Sequence, residues 1–438
     1  MESYGIALIG CGTVGSGVAR LLLEQPERLA ERAGKRLELK RVVVKDPSKV
    51  RDAPVPRHLV TTDMAAVLGD PSIQVGVEVV GGIDFARKAV LDLLASGKDV
   101  VTANKALLAI HGAEIFDAGR RHGKAIAFEA SVGGGIPIIA AIMQGLAANQ
   151  ITSLQGILNG TCNFILTGMS EQGRAYADVL AEAQRRGYAE ADPTLDVNGT
   201  DAAHKLAILA QIAFGVAVPL ERIPRRGIDQ IDVADIRYAR EMGYTIKLLA
   251  EAWLNSEGGK GGQLALHVAP VMLRSTTPLA QVRDAYNAIF VAGDAVGSTL
   301  YYGRGAGQMP TASAVVADLI DMAVGRAQQT FRSLKLWSTP SRGITLRPTG
   351  EIPSRFYLRL MVQDRPGVLA EITRILADHS ISISSVIQHE AVDGPDGNVV
   401  PLIIMTHLCP TGNFVRTLDA FGKLASVTAP CVYYVVGD

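Results

Sequence analysis

The stretch Gly10-Cys11-Gly12-Thr13-Val14-Gly15 lies between a strand-like apolar run, Ile6 to Ile9, and a helix-like run, Val18 to Leu23, that ends near Pro26. In that setting the three glycines of GxGxxG have separate jobs. Gly10 permits the tight turn, Gly12 lets a pyrophosphate approach the backbone, and Gly15 lets helix and strand pack closely, while the helix start offers free N–H groups. The alternative is a glycine-rich strand-to-helix turn with no ligand. Further strand-like runs at Leu37 to Val44, Val75 to Val80, Val100 to Val101 and Ala125 to Phe128, separated by helix-like stretches, favour a parallel α/β sheet that holds a dinucleotide.

The strand after the glycine turn ends at Val44-Lys45-Asp46, where such a fold reads the ribose. Asp46 suits a ribose 2′-hydroxyl and hence NAD. Lys45, Lys49 and Arg51 suit a 2′-phosphate and hence NADP, the preferred reading; solvated loop charges are the alternative for Lys49 and Arg51.

At 438 residues the chain has room for two or three domains. After Gly133-Gly134-Gly135 the rhythm changes to longer helical segments, Gly173 to Arg186 and Thr200 to Phe214, with strands at Ile151 to Leu158 and Leu264 to Val268. This is the pattern of an α+β unit. Asn255 to Gln263 reads as a surface loop and Ser338 to Arg355, with its prolines and glycines, as a linker. Residues 355 to 438 then read as strand, helix, strand, strand, helix, strand, the ferredoxin-like order. The expected division is 1–132 with a returning segment near 304–325, then 133–337, a linker 338–354, and 355–438.

Lys plus Arg and Asp plus Glu are both 43, so no bulk field draws the chain to nucleic acid or an anionic membrane. A small-molecule partner is expected. Cys11, Cys162, Cys409 and Cys431 form no CxxC, which points away from zinc or a disulfide framework and toward a reducing, cytoplasmic setting. The longest apolar runs are too short to span a bilayer, and Glu2 without early Lys or Arg gives no signal-peptide pattern. None of the eight histidines falls in a metal-ligand pattern; His204 reads as packing.

Two features carry chemistry. Between Gly187 and Asp201 four carboxylates crowd a loop that leads into a helix, and Asp201 and Lys205 lie one turn apart on a stripe continued by Ile208 and Ile212. A charged pair on a face that turns apolar is costly unless it has a task, although a purely structural ion pair stays open. Lys105, in Val101-Thr102-Ala103-Asn104-Lys105, follows a strand at the edge where parallel sheets bind ligands; taken singly it is equally a surface charge.

The combination of the glycine turn, Thr102-Ala103-Asn104-Lys105, Asn159-Gly160-Thr161-Cys162-Asn163 and Gly187-Tyr188 through Lys205 resembles homoserine dehydrogenase over nearly the whole chain. The Asp364-Arg365-Pro366-Gly367-Val368-Leu369 stretch resembles the helix start of an ACT domain. The resemblance implies a Rossmann-type dinucleotide-binding domain, an α+β catalytic and dimerisation domain and a C-terminal ferredoxin-like ACT domain. It implies an NAD(P)-dependent alcohol dehydrogenase that interconverts L-aspartate 4-semialdehyde and L-homoserine, in the biosynthesis of threonine, methionine and isoleucine.

By the same resemblance Lys205 is the general acid, Lys105 lies beside substrate and cofactor, and Asp201 orients Lys205. Glu190, Asp196, Asp201, Thr161 and Lys205 bind substrate; Gly10, Gly12, Thr13, Val14, Gly15, Lys45, Gly81, Lys105 and Gly307 contact the cofactor. Carbonyls of Glu129, Val132, Gly134 and Ile136 correspond to ligands of a structural sodium ion. Feedback inhibition by L-threonine through the ACT domain and a homodimer or homotetramer are expected, with an ACT unit that only stabilises the oligomer as the alternative. Two rivals remain. One is an aldehyde-oxidising enzyme with Cys162 as nucleophile, and the other a dinucleotide and amino-acid sensor without turnover.

Overall fold

The computed structural model describes residues 1–256, 261–338, 343–388 and 399–437. Six strands form an all-parallel first sheet: β1 (Ser3–Ile9), β2 (Arg36–Val43), β3 (Val60–Thr61), β4 (Val75–Glu78), β5 (Asp99–Thr102) and β6 (Ile126–Ala127). Their order, β3-β2-β1-β4-β5-β6, reverses direction at β1, and the crevice beside that reversal is where such sheets take a dinucleotide. β1 and β4 are buried along nearly their whole length because helices cover both faces, which explains their continuous apolar character. The Gln308–Val324 helix returns to this unit. It approaches the Thr13–Glu24 helix so closely that a Cβ on Gly17 would come within 2.9 Å of the Ala312 Cβ.

The second sheet is mixed. It comprises β7 (Ile151–Ile157), β8 (Tyr244–Asn255), β9 (Gly262–Arg274), β10 (Tyr286–Gly293), β11 (Gly297–Arg304), β12 (Ile344–Leu346), β13 (Pro353–Gln363), β14 (Ile383–Gln388), β15 (Val399–Thr406), β16 (Cys409–Pro410) and β17 (Val432–Val436). Its path is β11-β10-β7-β8-β9-β17-β13-β15-β14, with β12 on β9 and β16 on β13. The four C-terminal strands β17-β13-β15-β14, with the Val368–Asp378 and Thr411–Phe421 helices on one face, make the ferredoxin-like unit.

That unit is not a separate bead. β17 pairs in parallel with β9, Val435 opposite Val271 and Val436 opposite Met272, so one sheet runs through both halves. Alternation along the C-terminal strands divides their side chains. Phe356, Leu358 and Leu360 face the unit's own helices, while Tyr357, Ile403, Met405, Tyr434 and Val436 join the core that runs through the rest of the molecule.

Several elements differ in extent from the sequence reading. The helix expected from Gly173 begins at Tyr176, because Gly173 closes the preceding Gly160–Gln172 helix in the left-handed region, φ 66°. β9 extends well beyond Leu264 to Val268 because β8 pairs with it over its full length. Val79 and Val80 leave the strand to form the loop after β4. The stretch expected to link the last unit contains β12 and the start of β13; its residues 339–342 lie outside the described residues, as do 257–260 of the expected loop and His389, the end of a strand expected over Ser382 to His389.

Candidate active site

The nucleotide crevice is built at the C-terminal edge of β1, β4 and β5. Gly10 has φ 98°, and a Cβ there would come within 2.8 Å of Val79 O, so only glycine holds the turn against the neighbouring strand. Gly12 and Thr13 are exposed, nothing lies within 4 Å of a Cβ on Gly12, and no side chain caps the Thr13–Glu24 helix. That open helix start, free of acidic residues in its first turn, fits a pyrophosphate. Val14 is half-buried behind it and Gly15 packs on Gly10 O.

The loop after β4 is fixed from below by Glu78. Its fully buried carboxylate accepts from Thr102 Oγ1 at 2.7 Å and Val80 N at 3.0 Å, with Gly81 N at 3.4 Å; burial pushes this carboxyl above its ordinary value. Gly81 and Gly82 face open space, and Asn104 Nδ2 ties the loop to the next one through Gly82 O at 2.7 Å. Gly307, φ 126°, opens the returning Gln308–Val324 helix. Lys45 is exposed two residues beyond β2. The Asp46 carboxylate accepts from Ser48 Oγ and Ser48 N, which hold it below the usual range, and the Arg51 guanidinium turns onto the backbone carbonyls of Asp46 and Lys49.

The chemical site forms where two asparagine-capped helices meet a third. Asn104 caps the Lys105–His122 helix through Leu107 N at 3.1 Å, which sets Lys105 on its first turn. Asn159 caps the Gly160–Gln172 helix through Cys162 N at 2.8 Å. Gly199, φ 84°, starts the Thr200–Phe214 helix, placing Asp201 in its first turn and Lys205 one turn later.

These elements converge on Asp201, whose two carboxylate oxygens are divided between two lysines. Oδ2 lies 2.8 Å from Lys205 Nζ and Oδ1 lies 3.1 Å from Lys105 Nζ. Lys205 also donates to Leu158 O at 2.6 Å, and Asn159 Nδ2 donates to both Asp201 Oδ2 at 2.9 Å and Asp196 Oδ1 at 2.7 Å. Burial alone would raise the Asp201 carboxyl, but the two lysines and the Asn159 amide hold it well below the usual carboxylate range. Asp196 goes the other way: burial, then the neighbouring Asp201 charge, outweigh the Asn159 hydrogen bond and raise it. Lys205 is nearly buried whereas the Lys105 side chain is 40% exposed, so the lysines reach the site from the protein side and the open side respectively.

Of the residues singled out in the sequence, Lys105, Asp196, Asp201 and Lys205 are brought together. Thr161 is buried and its hydroxyl donates to Tyr188 O at 2.6 Å, so it braces the 187–193 loop. Glu190 is exposed on that loop, and among the described residues its carboxylate makes no hydrogen bond or ion pair. Cys162 Sγ is fully buried against Asp196 O at 3.3 Å, and burial followed by the Asp196 and Asp201 charges pushes its thiol well up, the reverse of what a nucleophile needs. Asn159 was missed as a bridge between two carboxylates, although its place before a helix signalled a cap; Glu78 and the Leu158 carbonyl carried no signal at all.

At the junction of the two units, Gly133 and Gly134 have positive φ, and Gly134 lies so close to Gly305 that a Cβ would reach its O at 2.4 Å. The Glu129 side chain accepts from Ile139 N and Ala140 N, and burial raises its carboxyl to about 7. Ile136 O already accepts from Ile138 N at 2.8 Å. Among the described residues no group of His, Cys, Asp or Glu could hold a metal.

The Homoserine dehydrogenase family model matches residues 137–320, and the Homoserine dehydrogenase, NAD binding domain model matches 10–129. Homoserine dehydrogenase of Pseudomonas aeruginosa is 43% identical over 99% of this chain and 98% of its own. The chain belongs to the homoserine dehydrogenase family. The ACT domain model matches residues 356–426, the ferredoxin-like unit described above. A crystal structure of a homoserine dehydrogenase from Thiobacillus denitrificans superposes with TM-score 0.89 at 42% identity, covering 100% of this chain and 99% of that one. A hyperthermophilic archaeal homoserine dehydrogenase in complex with NADPH superposes with TM-score 0.59 at 26% identity, covering 73% of this chain and 97% of that one. As a member of this family the chain is an NAD(P)-dependent oxidoreductase of amino-acid biosynthesis, and residues 10–129 form its NAD-binding domain.

Proposed function

We propose that the chain reversibly reduces L-aspartate 4-semialdehyde to L-homoserine with Lys205 as proton donor. The observation that carries this is the Asp201 carboxylate held between Lys205 and Lys105 at the edge of the dinucleotide crevice. The bound nicotinamide supplies the hydride. An ammonium has three donors; Lys205 spends two on Asp201 and Leu158 O, leaving the third for the substrate oxygen. A positive donor at that oxygen stabilises charge as it develops and delivers the proton that closes the alcohol. Asp201 is a positioning residue that fixes both lysines, and Lys105 assists binding or proton transfer from the open side.

Asp196 and Glu190 answer the substrate ammonium and Thr161 supports the loop that carries Glu190. Gly10, Gly12, Thr13, Val14, Gly15, Gly81 and Gly307 line the cofactor path. Lys45 stands ready for a 2′-phosphate while the Asp46 carboxylate is engaged by Ser48, which supports NADP over NAD. The φ-positive turn at 133–134 supports a structural sodium ion on the carbonyls of Glu129, Val132, Gly134 and Ile136. No described helix is long and apolar enough to cross a membrane, and a cytoplasmic homodimer or homotetramer, inhibited by L-threonine through the ACT domain, completes the reading.

The test is nicotinamide absorbance with L-homoserine and NADP⁺ or NAD⁺, sodium present, for the native chain and Lys205→Ala. Reduction by the native chain alone, faster with NADP⁺, is expected. Turnover by Lys205→Ala at the native rate would remove the general-acid assignment.

A further inference from the structure

The catalytic carboxylates lie far along the chain from the ACT domain, yet one short segment touches both. Residues 225–228 run beside β9, with Arg226 N donating to Val268 O at 2.8 Å and Val268 N donating to Pro224 O at 2.9 Å. Their other side packs on the turn that carries the site. Ile228 N donates to Val197 O at 2.8 Å, and a Cβ on Gly227 would come within 2.1 Å of Val197 O and 2.6 Å of Asn198 Cα. That turn follows Asp196 directly and leads through Gly199 to Asp201. A Cβ on Gly199 would lie 3.6 Å from Arg226 O, so the start of the Thr200–Phe214 helix rests on the same backbone.

The Arg226 side chain points the opposite way, into the ACT strand β17. Its guanidinium lies 4.4 Å from the Tyr433 ring centroid and 5.3 Å from that of Tyr434, and Nη1 donates to Tyr433 O. β17 is itself anchored. Tyr434 and Tyr357 hydroxyls donate to the fully buried Asp235 at 3.2 and 3.0 Å, and Arg359 closes the set with Nε and Nη2 on the two oxygens at 2.6 and 2.9 Å. Every one of these donors belongs to the ACT sheet, and Asp235 belongs to the catalytic unit.

We propose that Arg226 is a positioning residue: seated on Tyr433 and Tyr434, it sets the 225–228 backbone and through it the placement of Asp196 and Asp201, so that the ACT sheet governs catalytic geometry. The inference rests on the catalytic reading given above for Asp201 and Lys205. It needs no ligand on the ACT domain and identifies the route by which a displacement of β17 would reach the site.

The test uses the full chain with Arg226→Ala, Arg226→Lys, Tyr433→Leu and the Arg226→Ala/Tyr433→Leu double variant, each normalised by NADPH binding stoichiometry from fluorescence titration. The expected result is a fall of about tenfold in kcat for Arg226→Ala, on the scale that a small misplacement of catalytic groups produces. The NADPH dissociation constant should stay within about twofold of native, because the dinucleotide crevice does not include this segment. Arg226→Lys, which keeps the cation but loses the planar fork, should recover part of the rate. The double variant should be no slower than the slower single one, because both break a single connection.

A folded Arg226→Ala with native kcat, or losses that multiply in the double variant, would overturn the inference. If Arg226→Ala does not fold, the same criterion applies to Arg226→Lys. Lys205→Ala run alongside keeps the two readings apart. Native turnover there removes the acid assignment, whereas native turnover in folded Arg226 variants removes only the link to the ACT sheet.

Discussion

At the scale of single residues, the decisive arrangement is a carboxylate whose oxygens are each claimed by a different lysine. Removing the charge leaves Lys205 buried with an amide partner and frees Lys105 to drift, so Asp201→Asn should lower kcat by about a hundredfold or more. The same pairing predicts a pH dependence of stability. The folded-state carboxyl of Asp201 lies below its ordinary value, so its contribution is present above about pH 4 and is lost as pH falls through and below that range. Urea midpoints measured from pH 6 to pH 3 should fall less steeply for Asp201→Asn than for the native chain. Cys162 gives the contrasting case: buried and with its thiol pushed up, it should tolerate Cys162→Ser with kcat within about fivefold of native, since only a weak S–H contact is exchanged. The sequence pattern revealed the Asp201–Lys205 face because helical spacing is local. The third partner, Lys105, and the Asn159 bridge arrive from distant segments, and no local rule joins them.

At the scale of elements, helices were easier to read than strands. The Thr200–Phe214 helix has the extent read for it in the sequence, and the helix expected after the 364–369 stretch runs over Val368–Asp378. β8, by contrast, reads Tyr-Thr-Ile-Lys-Leu-Leu-Ala-Glu-Ala-Trp-Leu-Asn, rich in good helix formers, and becomes a strand because β7 and β9 flank it on both sides. β10 and β11 went unread for a related reason, as a hairpin whose Tyr301-Tyr302-Gly303-Arg304 end resembles a loop. On β8 sits Lys247, buried, with Nζ on Asn163 Oδ1 at 2.9 Å and Val282 O at 2.5 Å, clasping the 275–286 loop to the sheet. Burial lowers its ammonium to about 8. A lysine lowered in the folded state contributes most when neutral, so this site costs stability below about pH 8 and recovers it toward the unfolded value near 10.4. Chemical denaturation at pH 7 and pH 9.5 should show the native chain gaining about 1–3 kcal/mol relative to Lys247→Met over that interval.

At the scale of the whole molecule, the ferredoxin-like order of the last unit was legible from alternation and from its helix start, but its fusion to the catalytic sheet was not. Parallel pairing between β17 and β9 joins residues more than 160 positions apart, and Asp235 shows no sequence sign that its partners are Tyr357, Arg359 and Tyr434. The consequence is testable by truncation. Deleting residues 353–438 takes the Tyr357, Arg359 and Tyr434 donors from Asp235, strips Tyr357, Ile403, Met405 and Tyr434 from the shared core and bares β9 at Val271 and Met272. The shortened chain should therefore melt lower and aggregate on size-exclusion chromatography, instead of behaving as an unregulated enzyme.

β17 follows every other strand in sequence yet lies between β9 and β13 in space. During synthesis the six strands of the dinucleotide sheet are emitted close together and can pair early, although their core is completed only when the Gln308–Val324 helix returns. The seam joining the catalytic and ACT halves has to stay unzipped until residues 432–436 leave the ribosome, with Val271 and Met272 of β9 and Arg355 to Arg359 of β13 waiting for a single short insert. Nascent chains stalled before Val432 would thus offer chaperones two bare strand edges that vanish together when the final five-residue strand slides in.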